Sequence, residues 1–89
     1  MKYKKFRVKL QAVLQDFYGW DAEVAILKLI KSHGKTEYGI MIRGAQEPVG
    51  TTPVICLKKF YRQYRGGSAF EKCVGKIIEL RRNGEYDNG

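Results

Sequence analysis

The stretch Ala22-Glu23-Val24-Ala25-Ile26-Leu27-Lys28-Leu29-Ile30, followed by Ser32-His33-Gly34-Lys35 and then Glu37-Tyr38-Gly39-Ile40-Met41-Ile42-Arg43, decides the fold. Taken alone, its first run fits a helix or a largely buried strand, because a short apolar run has no diagnostic period. Its β-branched content favours a strand, and so does the glycine-containing punctuation ahead of another apolar run. In the second run Tyr38, Ile40 and Ile42 alternate onto one face, the period of a half-exposed sheet. The expectation is a hairpin.

Upstream, Tyr3, Phe6, Leu10, Val13, Leu14 and Phe17 recur at steps of three and four, one stripe of an amphipathic helix. Val8 is the misfit on its polar side, and Gly19 is a natural stop. Downstream, Gly44 to Pro53 reads as a loop. Pro53 can open a short third strand, Val54-Ile55-Cys56, since proline tolerates a strand's first position. A short helix then begins near Leu57 or Lys58 and ends at Gly66-Gly67. Ser68-Ala69-Phe70-Glu71 has the form of a capping box. It opens a last helix whose apolar face is Phe70, Cys73, Val74, Ile77, Ile78 and Leu80, stopped by Asn83-Gly84. The predicted order is α–β–β–β–α–α: one small α+β domain over 1–84, a three-stranded, mainly antiparallel sheet packed by helices. Residues 85–89 form a frayed tail.

Eighty-nine residues fill a single domain of modest stability. Seventeen Lys and Arg against nine Asp and Glu give a net charge of +8, which favours anionic partners without naming one. A lysine-rich surface is also simply soluble. Two cysteines are too few for the disulfide framework of a small secreted domain. Both read as reduced core residues of a cytoplasmic protein. No signal-peptide pattern follows the basic start, and no run approaches the roughly 20 apolar residues of a membrane span.

One resemblance rests on specific residues. His33-Gly34, then Tyr38-Gly39-Ile40-Met41-Ile42-Arg43, then Pro53-Val54-Ile55-Cys56-Leu57, then Phe60-Tyr61-Arg62-Gln63-Tyr64 with Gly66 and Ser68 resemble an uncharacterised domain family of gut-dwelling clostridial bacteria. The similarity runs from Met1 to about Arg82. It implies a shared fold and carries no activity to transfer. Where that family has acidic residues between its tyrosines, this chain has Lys58, Lys59, Arg62 and Gln63, and Cys56 replaces a strand tyrosine. The sign of that surface is therefore reversed, and a shared partner does not follow.

Chemistry-bearing constellations are poor. His33 is the only histidine and sits at a predicted turn, so a zinc site, which needs about four clustered ligands, is not expected. Cys56 and Cys73 lie on apolar faces, unlike activated thiols. Gly44 to Gly50 lacks the lysine and following helix of a phosphate loop. A non-enzymatic protein without cofactor or metal is expected.

Binding signals are better. Leu57, Phe60, Tyr61 and Tyr64 form one stripe, and Lys58, Arg62 and Arg65 another, with Lys59 beside them. Further basic groups are Lys2, Lys4, Lys5, Arg7 and Lys9 on the first helix, and Lys72, Lys76, Arg81 and Arg82 on the last. Such rows neutralise phosphates, and arginines add planar bidentate contacts. Tyr61, Tyr64 and Trp20 are candidate stacking aromatics, although their places favour burial, including for Trp20 at the core's edge. The leading expectation is a protein gripping nucleic acid, a ribonucleoprotein or an acidic protein surface through basic helical faces. One alternative is an accessory inhibitor of phage or mobile-element type, blocking a nuclease defence complex as anti-CRISPR proteins do. Another is a self-associating module, a homodimer covering an open sheet face or edge.

Overall fold

The structure, a computed structural model, describes residues 1–30, 34, 36–44, 54–64 and 69–82. Its elements are α1 (Tyr3–Tyr18), β1 (Glu23–Ile30), β2 (Thr36–Arg43), β3 (Val54–Cys56), α2 (Leu57–Tyr64) and α3 (Ala69–Arg82). The α+β order and the antiparallel three-stranded sheet are those expected from the sequence. The ends proposed at Gly66-Gly67 and Asn83-Gly84, the Ser68 cap, the Pro53 strand start, the His33 turn and the 85–89 tail lie outside the described residues.

The sheet order is β1-β2-β3, and both pairings are antiparallel. The β1–β2 register is one-to-one from Glu23 opposite Arg43 to Ile30 opposite Thr36, without a bulge. Residues directly opposite share a face. Val24, Ile26, Ile40 and Ile42 therefore line the side covered by the helices, joined by Ile55 opposite Ile40. Phe6, Leu10 and Leu14 of α1, Leu57 and Phe60 of α2, and Phe70, Cys73 and Ile77 of α3 complete that core. Ala25, Leu27, Leu29, Met41 and Val54 project from the other face and are half-buried.

Gly39 shows why a glycine stands mid-strand. A Cβ there would collide with Val54 Cγ1 and lie 3.1 Å from Leu29 Cδ1. Leu29 and Val54 thus close over the glycine backbone, bringing the two outer strands together on the outer face.

Two expectations at the end of α1 are corrected. Phe17 is 58% exposed. The buried row runs in fours through Phe6, Leu10 and Leu14, so Tyr18 continues it, and Phe17 leans edge-on against Tyr18 at 5.0 Å. Trp20, expected at the core's edge, is 93% exposed. Gly19, at φ 96°, ends the helix, and its N–H donates to the Gln15 carbonyl at 2.9 Å. The following turn closes by Ala22 N–H to the Gly19 carbonyl at 3.2 Å. Its inner side is taken by Gln15, whose Nε2 donates to the carbonyls of Gly19 (2.8 Å) and Ala22 (2.7 Å). Trp20 is left pointing outward.

Candidate anionic-partner surface

Tyr61 joins α2 to the start of α1. This side chain is the fifth residue of α2 and belongs to the apolar stripe that begins at Leu57. Its ring packs against Phe6 (5.3 Å between centroids) and Tyr3 (4.8 Å) of α1. Its hydroxyl donates to the Met1 carbonyl at 2.7 Å. The first turn of α1 is therefore held alongside α2. Lys2, Lys4 and Lys5 are exposed at the start of α1, and Lys58, Lys59 and Arg62 on α2. Arg65 lies outside the described residues.

Helix polarity reinforces this charge. Unsatisfied N–H groups make a helix N-terminus partly positive, which acidic residues usually offset. Neither α1 nor α2 has an acidic residue in its first turn, and Lys2 at the α1 N-cap makes no side-chain capping bond. α2 follows β3 directly, Leu57 after Cys56. Lysines near two helix starts without acidic offsets concentrate positive potential, and an anion placed there would relieve it.

The remaining predicted residues divide by environment. Arg7 does not belong to an exposed row: its guanidinium lies 3.4 Å from the Tyr38 ring centroid and 4.9 Å from that of Tyr3. Arg7 Nε and Tyr3 Oη are buried without a hydrogen-bond partner. Burial raises the Tyr3 phenol above its usual range, opposed by the nearby Arg7 charge. Lys9 stays exposed and places its ammonium 4.5 Å over Phe70, linking the basic side of α1 to α3. Arg81 is half-buried with its guanidinium 5.0 Å over Tyr18, whereas Arg82 is exposed. The outer side of α3 mixes Lys72, Lys76 and Arg82 with Glu71 and Glu79, a weaker positive surface than the α1–α2 seam.

Of the candidate aromatics, Tyr61 and Tyr64 pack against the core, Tyr64 stacking on Phe60 at 6.3 Å. Trp20 alone presents a free indole. The Arg7–Tyr38 stack has no signal in the sequence, because no helix period links positions on different elements. The Gln15 clasp had one sequence signal, a glutamine four residues before the stopping glycine. No three metal-ligating side chains gather among the described residues. Cys56 and Cys73 are buried and not disulfide-bonded, and burial pushes the Cys73 thiol up to about 12. Among the described residues, no helix is long and apolar enough to cross a membrane.

Comparison with known proteins adds one identification. The model of a family of unknown function, DUF5688, matches residues 3–88, and the chain belongs to that family. No curated protein and no solved structure matches it.

Proposed function

We propose that this member of the DUF5688 family is a non-enzymatic binding protein that grips an anionic partner, nucleic acid or a ribonucleoprotein, across the joined faces of α1 and α2. The observation that carries the reading is the Tyr61 seam. It holds the first turn of α1 alongside α2; Lys2, Lys4 and Lys5 are exposed on the one and Lys58 and Arg62 on the other, and neither helix start has an acidic offset. Phosphate groups suit such a surface because each neutralised phosphate releases condensed counterions. Arg62 adds a planar fork for phosphate oxygens. With the tyrosines packed inward, contact runs mainly to the backbone, so recognition is governed by charge and shape more than by base identity. The basic character of α2 marks this chain's specialisation relative to the acidic pattern described above for similar sequences. Gel shifts with RNA, single-stranded DNA and duplex DNA across a salt series test the reading. Binding that weakens steadily with salt supports it, and no binding at the lowest salt rejects it.

Exposed Trp20 favours a second reading, an inhibitor or adaptor acting by protein–protein contact, such as one that blocks a nuclease defence complex. Tryptophan is enriched among the residues that dominate binding energy at interfaces, and here its indole is 93% exposed with Phe17 nearby in sequence. A stoichiometric protein complex that survives nuclease treatment and is lost in Trp20→Ala would favour this reading over the first.

A further inference from the structure

We propose that the C-terminal end of α1, with Trp20 at its centre, docks an arginine-bearing segment of a partner protein. Such docking presupposes the second reading above, in which Trp20 is a protein-contact residue, and names the chemistry of what it meets. From Leu10 to Leu27 the chain has no lysine or arginine, yet it carries Asp16, Asp21 and Glu23. α1 also has no basic residue in its last turn, so none there offsets the negative end of its dipole. This end is the inverse of the basic start of the same helix.

The carboxylates differ in what they touch. Glu23 is paired with Arg43, directly opposite it in the β1–β2 ladder. Arg81, which α3 brings to this end, lies over the Tyr18 ring. Asp16 and Asp21 are exposed and have no ion pair among the described residues. Asp21 folds back on the helix end, its Oδ1 3.2 Å from where a Cβ on Gly19 would stand. Its carboxylate thus stays close to the backbone from which Trp20 projects.

The aromatic rings supply the second half of the site. Trp20 is 93% exposed and Phe17 58%. Elsewhere the chain sets its own cations over its rings: Arg7 on Tyr38, Lys9 on Phe70 and Arg81 on Tyr18. The indole is the best aromatic face for a cation, and it has none among the described residues. An open indole with unpaired carboxylates close by suits a guanidinium. That group stacks on the ring while its planar N–H edge donates to a carboxylate, whereas an ammonium has no stacking plane. The lysines at the start of α1 are too distant to oppose it. α1 has 16 residues, and at about 1.5 Å per residue its ends lie about 24 Å apart. That is about three screening lengths at physiological salt, so local charge governs the approach.

Trp20 is the only tryptophan, so its fluorescence reports on the site directly. Titration with a tetra-arginine peptide should change this emission to saturation. The same peptide with citrulline, an uncharged isostere, in place of each arginine should bind at least about threefold more weakly. Asp16→Asn combined with Asp21→Asn should weaken tetra-arginine binding by about three- to tenfold, with an unchanged unfolding curve. Emission unaltered by tetra-arginine, or equal binding of the two peptides, overturns the proposal. Emission that changes with protein concentration alone also overturns it, because a second copy would then be the occupant. The nuclease-resistant complex tests the underlying reading separately. A complex lost in Trp20→Ala but undiminished in the doubly substituted aspartate variant keeps Trp20 as a contact residue and rejects an arginine-bearing occupant.

Discussion

Gly39 and Cys73 show how single residues hold this fold. At Gly39 a methyl group meets Val54, a stiff β-branched side chain that cannot swing aside, and the Ile55 carbonyl at 3.4 Å. Gly39→Ala should therefore destabilise the protein by about 1–3 kcal/mol, the usual cost of overpacking. Adding Val54→Ala should recover much of the loss in urea denaturation; unchanged stability in the single variant would contradict this packing. Cys73 is 0% exposed and its thiol is pushed up to about 12 from an ordinary 9.0 by burial alone. Between these values the unfolded chain releases a proton that the folded chain retains. Stability is thus fully present below about pH 9 and falls as pH rises, by about 1.4 kcal/mol per unit from this group. The raised Tyr3 phenol acts in the same direction at higher pH. Denaturation of Cys73→Ala along the same pH series should show a shallower decline, whatever its starting stability, and an equal slope would refute the assignment.

Among the elements, the α1–β1 connection depends on one side chain. Gln15 satisfies the carbonyls of Gly19 and Ala22 and the N–H of Val24. Gln15→Ala leaves these groups short of partners and should cost about 1–3 kcal/mol, whereas Trp20→Ala, five residues on, should stay within about 0.5 kcal/mol. Equal losses in thermal or urea unfolding would show that the turn is held otherwise. The same region marks how far the sequence could be read. The hairpin, the third strand and all three helices were legible because each carries its own period and punctuation. The direction of Trp20 was not, because it depends on a glutamine clasp formed across a turn. Phe17 was misjudged because a stripe of threes and fours has two possible continuations, and only packing selected Tyr18. The basic residues were legible as separate rows, but the joining of α1 to α2 was not. It is made by Tyr61 reaching Met1, 60 positions away, and no local period reports such a contact.

At the scale of the whole molecule, the helices carry charge on one side of the sheet and the opposite face is apolar, with Ala25, Leu27, Leu29, Met41 and Val54 across it. The proposed partner surface lies on the helical side. Its basic side chains are exposed, so replacing them should leave the core intact. The most direct test is fluorescence-anisotropy titration of labelled RNA and duplex DNA over a salt series, comparing the wild type with a variant carrying Lys4→Glu, Lys5→Glu, Lys58→Glu and Arg62→Glu. For duplex DNA, each lost phosphate contact should flatten the plot of log affinity against log salt by about 0.9. The wild type should bind in a salt-sensitive way, with a markedly shallower slope and weaker affinity in a variant whose unfolding curve is unchanged. Equal affinity and slope for the two proteins, or no binding by the wild type at low salt, would contradict it.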